Sequence, residues 1–264
     1  MMKNNLNYEL EFLFGRWYER MRKEYGEKTN FTRDGILYKN GLSEDEVVKK
    51  WIESSKRVVF LLKDQNQRED DGEKWSEDIR FWLKVTEYDD TQEKLEVKEN
   101  NRNLVSPFFK NIAYLLWGLS KATADEDCAW WYNEVTMHLD EVKEFFNTQP
   151  FALIECKKLP GDDNLGDDVL KQHLRDYGDL LKQEIDILNP NIIICTNQHI
   201  YDFILKKYPK EELECIDGYN SIRFHPLTGT IVLCSYHPSA WNVDVYEGVM
   251  WHYRAFLKKH HQPK

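Results

Sequence analysis

No stretch of this chain is apolar for the length of a membrane span, and its opening MMKNNLNYELEF lacks the apolar core of a signal peptide. A cytoplasmic location without membrane contact is the expectation. Cysteine is scarce: Cys128, Cys156, Cys195, Cys215 and Cys234 are odd in number and include no CxxC pair. That pattern speaks against a disulfide framework, a metal site or an iron–sulfur cluster, and for reduced core thiols. Positive charge is also short. Thirty-six Lys and Arg face 46 Asp and Glu, a net charge of −10, so the basic excess behind tight non-specific nucleic-acid binding is missing. A local basic groove stays open, because a sum does not describe a distribution. Internal repeats and Gly- or Ser-rich linkers are missing too. One α/β domain over 51–264, with residues 1–50 packed on it as a helical extension, is the expected organisation.

What is present suffices for a real core: 41% hydrophobic residues and 14% aromatics, with nine tryptophans among 264 residues. Four short apolar runs stand out, Arg57–Leu62, Phe151–Ile154, Asn191–Cys195 and Thr230–Cys234. Between them lie helical patterns. Ser106–Trp117 carries apolar residues at Phe108, Ile112, Leu115 and Leu116, with Ser106 as N-cap and Pro107 in the first turn. Asp168–Leu188 ends at Asn189-Pro190, and His199–Tyr208 and Asp244–Lys259 follow. Alternating strands and helices predict right-handed crossovers: a three-layer α/β/α sandwich around a four-stranded, mainly parallel sheet. Segments 64–98 and 159–168 are polar and loop-like.

Each run ends in polar residues. The first gives Lys63-Asp64-Gln65-Asn66-Gln67, the second Glu155-Cys156-Lys157-Lys158, the third Thr196-Asn197-Gln198-His199 and the fourth His237-Pro238-Ser239. In a parallel sheet all four clusters share the carboxyl-end rim, where open α/β sheets bind ligands. A lone His after a strand is most often a cap. Four polar clusters on one rim favour a site.

In this combination the chain resembles the uracil-DNA glycosylase superfamily, from about Val58 to the C-terminus. The resemblance rests on the order of parts. First comes Lys63-Asp-Gln-Asn66, where branches of the superfamily have GQDPY or GEAPG. The Pro-started helix Pro107-Phe-Phe-Lys-Asn-Ile112 follows, then a strand with a Lys-containing turn, then Leu188-Asn-Pro-Asn-Ile-Ile-Ile-Cys195, and last Tyr236-His-Pro-Ser-Ala240.

The resemblance implies N-glycosidic hydrolysis that releases uracil or another altered base from DNA, without cofactor or metal. That reaction builds positive charge on the sugar and negative charge on the base, so it calls for a carboxylate and a hydrogen-bond donor. By resemblance Asp64 takes the carboxylate role, or Gln65 if the motif is aligned on GQDPY. His237, as a neutral imidazole, is the donor. Gln65, Asn66 and Ser239 would flank the substrate. Phe81, Trp82, Phe108 and Phe109 are candidate stacking rings, with Phe81 and Phe109 preferred because helical spacing puts Phe108 in the core.

The departures are informative. Glu155 stands where the superfamily places an Asn that reads uracil, and a carboxylate only accepts. It either accepts from an exocyclic amine or pairs with Lys157 or Lys158. The first motif lacks its Gly and Pro. Lys157, Lys158 and Lys171 are candidates for a phosphate track, Trp241 for a wedge, and 256–264 is a basic tail. Two alternatives stay open beside the glycosylase: a pocket that binds a nucleobase, nucleotide or modified DNA without repair, and a protein-binding scaffold acting through the N-terminal region.

Overall fold

The four apolar runs form the centre of the sheet in a computed structural model, which describes residues 5–26, 30–66, 78–124, 131–161, 166–216 and 218–260. They are β2 (Val58–Asn66), β3 (Ala152–Gly161), β4 (Ile192–Cys195) and β7 (Thr230–Cys234). Three further strands are β1 (Gly35–Ile36), β5 (Glu214–Ile216) and β6 (Tyr219–His225). Among the described residues the sheet is therefore mixed and seven-stranded, in the order β1-β3-β2-β4-β7-β6-β5, wider than the four strands expected. Pairing among β3, β2, β4 and β7 is parallel, whereas β1, β6 and β5 join antiparallel at the edges. The added strands are short or lack a continuous apolar run, so periodicity could not reveal them. Gly229, at φ +69°, supplies the left-handed residue that turns β6 into β7.

Both faces of the sheet are covered, because β2 is apolar on both. Val58, Phe60 and Leu62 enter one core with α4 (Pro107–Lys121), α6 (Leu139–Thr148) and α9 (Asn242–His260). Val59 and Leu61 enter the other with α1 (Asn5–Tyr25), α2 (Glu44–Glu53), α7 (Asp167–Leu188) and α8 (Gln198–Leu205). The Ser106 hydroxyl caps α4 by accepting from Phe108 N–H at 3.2 Å, and Pro107 starts the helix. Asn189 ends α7 in a left-handed conformation, φ 46°, before Pro190. On α1, Leu10, Leu13, Phe14, Trp17 and Met21 form the buried stripe, and Trp17 stacks on Tyr177 of α7. No described helix is long and apolar enough to cross a membrane.

Two sequence expectations need correction. The first and second strands do not stop at Leu62 and Ile154. They run on as a parallel pair, Leu62 opposite Glu155 and Asp64 opposite Lys157, so their polar ends are strand rather than loop. Segment 64–98 is not wholly loop either: it contains a 3-10 turn at Ile79–Phe81 and the start of α3 (Gln92–Arg102). The last helices are α5 (Tyr132–Thr136) and those above. The thiols of Cys156 and Cys195 are buried, Cys234 is half-buried and Cys215 exposed; Cys128 lies outside the described residues.

Candidate active site

Strand alternation decides which polar side chains meet. Successive residues of a strand face opposite sides of the sheet. Leu153, Glu155 and Lys157 thus share a face with Leu62 and Asp64, while Ile154, Cys156 and Lys158 share the other. On the first face, Lys157 Nζ lies 3.3 Å from Asp64 Oδ2 and donates to the Leu159 carbonyl at 2.7 Å. Both members of the ion pair are largely shielded from solvent, which holds the Asp64 carboxylate in place. Glu155 is buried two residues earlier, its own N–H bound to Asp34 Oδ2 at 2.7 Å.

The fourth strand brings the imidazole. Asn111, fully buried on α4, donates from Nδ2 to the carbonyls of Pro238 (2.6 Å) and Ala240 (3.3 Å) and so fastens the loop after β7. Within that loop the Ser239 N–H donates to His237 Nδ1 at 3.2 Å. Nδ1 is thereby the acceptor, and the neutral ring carries its proton on Nε2. His237 is solvent-exposed as a residue, yet partial desolvation of its ring at the cavity wall, and then the positive charge of Lys63, hold its pKa below the ordinary value. The ring sits 5.8 Å from that of Phe108.

These parts line one cavity of about 930 Å³ at the carboxyl ends of the strands, within the roughly 300–1,000 Å³ of small-molecule sites. Asp64, Glu155, His237 and Ser239 all face it, with Phe81, Trp82, Phe108 and Phe109 around them. Its outer wall is α3, which buries no residue of its own. That helix is tied to the preceding segment by Lys98, which bonds Asp89 (2.6 Å) and the Lys84 carbonyl (2.8 Å), and by Asn101, which donates to the Trp82 carbonyl (3.3 Å). Among the described residues the lining carries five carboxylates (Asp64, Asp78, Asp89, Glu93 and Glu155) against the ammonium groups of Lys94 and Lys98.

Several expectations meet different positions. Lys158 is not at the rim. It is fully buried under α1 and α7, its Nζ 2.5 Å from Asp34 Oδ2, 2.8 Å from Glu184 Oε2 and 4.9 Å from the Trp17 ring centroid. It therefore contacts no phosphate. Lys157 is engaged with Asp64, and Lys171 pairs with Asp168 on the surface of α7. Phe108, assigned to the core by spacing, is only half-buried and stands beside His237, whereas Phe109 is 3% exposed among Phe108, Trp82 and Phe146. Phe81 packs edge-on against Tyr38 at 4.9 Å. The backbone of Gln65 and Asn66 completes β2, but their side chains lie outside the described residues. The third cluster stays off the cavity: the Asn197 side chain caps α8, and His199 and Lys63 share Asp167. Trp241 is 86% exposed, and Lys259 of the tail bonds Glu214.

The sequence reading missed Asp34, Glu184 and the fastening role of Asn111. Their signals were an Asp in a β-rich stretch, a Glu on the apolar stripe of α7 and an Asn inside an apolar helix; each predicts a buried partner once the face is known. Among the described residues no group of three His, Cys, Asp or Glu is placed to hold a metal ion. Comparison of the chain with protein-family models, with curated proteins and with solved structures finds no match.

Proposed function

We propose that the cavity is the active site of an N-glycosidase of the uracil-DNA glycosylase type, which hydrolyses the bond between a base and its deoxyribose. The observation that carries this reading is the meeting of Asp64 and His237 in one cavity at the rim of parallel strands. The superfamily-like fold, with its three layers and parallel centre, belongs to the same proposal. It is supported by the order of the four apolar strands and by helices on both faces.

The chemistry follows from the two groups. As the C1′–N bond breaks, its electron pair leaves with the base and the sugar becomes cationic. The Asp64 carboxylate, oriented by Lys157, stabilises that cation and directs water to C1′. The His237 Nε2–H donates to the base oxygen on which negative charge collects; removing such a donor costs roughly 10²–10³ in rate. Water delivers hydroxyl to the sugar and a proton to the base, which closes the balance. A neutral imidazole suits this task, because its low pKa keeps the proton on Nε2 as a donor without positive charge. Phe108, tilted beside the imidazole, offers the apolar surface for a flat ring.

A second reading has its own support. The acid-rich lining and the engagement of Lys157 and Lys158 with carboxylates disfavour a phosphate-dense duplex. They favour a nucleobase-bearing small molecule, bound or cleaved. Oligonucleotides carrying uracil, hypoxanthine or xanthine, and the matching free nucleosides, separate the two after incubation and alkali treatment. Strand cleavage above the level of an Asp64→Asn, His237→Ala double variant supports the glycosylase. Base release from nucleosides alone supports the second reading; release from neither would overturn the glycosylase, and no calorimetric binding of the same nucleosides would then overturn the second reading too.

A further inference from the structure

The cavity extends well beyond the two groups at the strand ends. From Asp64 and His237 its lining continues outward to α3 in one space of about 930 Å³, near the top of the roughly 300–1,000 Å³ of drug-sized sites. A single nucleoside does not fill such a space. Lys94, Val97, Lys98 and Asn101 line the outer part and, at i, i+3, i+4 and i+7, make one face of α3. In a helix packed on its own domain that face is apolar and buried. Here it buries nothing: Val97 is 53% exposed and Tyr88, just before the helix, is 76% exposed, although both line the cavity. The wall is fixed in that position all the same. Leu104, just past α3, holds the left-handed conformation at φ 59°, a strained one for a residue with a Cβ, and its side chain is buried in the core. Asn101 donates to the Trp82 carbonyl at 3.3 Å and Arg102 to the Leu83 carbonyl at 3.4 Å. Strain and hydrogen bonds together hold α3 off the core and facing the cavity.

We propose that this outer part is a second subsite, which takes an uncharged aromatic group attached to the sugar of the substrate. The substrate is then a nucleoside extended at one of its sugar oxygens, not a nucleoside alone. An aromatic ring suits the lining because Tyr88, Val97 and Trp82 offer it apolar surface. A phosphate suits it poorly, because both ammonium groups of the wall already have carboxylates: Lys94 lies 2.9 Å from Asp90 and Lys98 2.6 Å from Asp89. This inference rests on the base-binding reading of the cavity and names what lies beyond the base.

Calorimetric titration of the whole chain with adenosine and uridine, their 3′- and 5′-O-benzyl ethers and their 5′-phosphates tests it. A Tyr88→Ala, Val97→Ser double variant is measured in parallel, its folding verified by circular dichroism. At least one benzyl ether is expected to bind about tenfold or more tighter than its parent nucleoside, the scale of one ring stacked on an aromatic side chain, while the 5′-phosphates gain nothing. In the double variant the advantage of the ether over its parent falls toward one. Equal affinity of ethers and parents for the unsubstituted chain would overturn the inference while leaving the base pocket intact. An advantage that survives the double substitution, or a 5′-phosphate that gains as much as the benzyl group, would overturn it as well. Failure of every nucleoside and derivative to bind would instead remove the base-binding reading, and this inference with it. If the double variant does not fold, the order of affinities in the unsubstituted chain still decides.

Discussion

Asn111→Ala is the most informative single perturbation, since it leaves every cavity-lining group in place and removes only what fastens the His237 loop. The Asn111 amide makes two hydrogen bonds, 2.6 Å to Pro238 and 3.3 Å to Ala240, from a position with no exposure. Each is worth about 1 kcal/mol net at most, and leaving the buried Pro238 carbonyl without its donor costs about 1–3 kcal/mol more. Together these come to about 1–5 kcal/mol, which for a chain of 264 residues, at about 2 °C per kcal/mol, lowers Tm by roughly 2–10 °C. Urea unfolding should show a lower midpoint at unchanged slope. A second readout separates fastening from simple loss of stability. With its loop released, His237 leaves the surroundings that depress its pKa, and its NMR titration moves up toward about 6.5. A midpoint shift equivalent to less than about 0.5 kcal/mol, together with an unchanged His237 titration, would refute the reasoning.

Three further outcomes follow from groups around the site. His173 is buried on α7 against Tyr177, and burial lowers its pKa to about 4. The unfolded chain takes up that proton near pH 6.5 and the folded chain does not, so stability falls as pH drops from about 6.5 to about 4, by up to about 3 kcal/mol. His173→Phe should flatten that stretch of a stability–pH curve, and an unaltered slope would contradict it. Lys158→Met leaves Asp34 buried without its ammonium and should cost about 3–5 kcal/mol. Glu184→Gln should cost far less, because burial and Asp34 raise the Glu184 pKa and favour the neutral acid that glutamine imitates; urea midpoints in the reverse order would refute this. Phe108→Leu should weaken nucleoside binding with little change in Tm, since the ring is half-buried beside His237; the opposite pattern would return Phe108 to the core.

The central strands were legible because β2, β3, β4 and β7 are apolar on both faces, and only a parallel centre covered by helices buries both. The edge strands were not, since two- and three-residue strands such as β1 and β5 carry no period to read. Within the site, the strand-end clusters indicated which residues share a rim, but not which way each points. Lys157 and Lys158 illustrate the gap. Period-two alternation, applied along β3 past Ile154, sends one to Asp64 and the other beneath Trp17. That inference fails when the strand is ended at Ile154, seven residues too early. Phe108 and Phe109 were exchanged for a related reason: helical spacing defines a stripe, while its border depends on what covers the helix end. Here the cover over Phe108 is the His237 loop, contributed from the far end of the chain.

The most direct test of the account is the single-turnover release of free base, followed by chromatography, from amine-bearing and uracil-bearing nucleosides and oligonucleotides. The chains to compare are the unsubstituted protein, Asp64→Asn, His237→Ala and the double variant. Two groups acting on one bond give non-additive losses, so each single substitution should cost nearly as much as both together, on the order of 10²-fold or more. Release unaffected by the double substitution, or no release of any base by the unsubstituted protein, would contradict the claim that this carboxylate and this imidazole work together on one glycosidic bond.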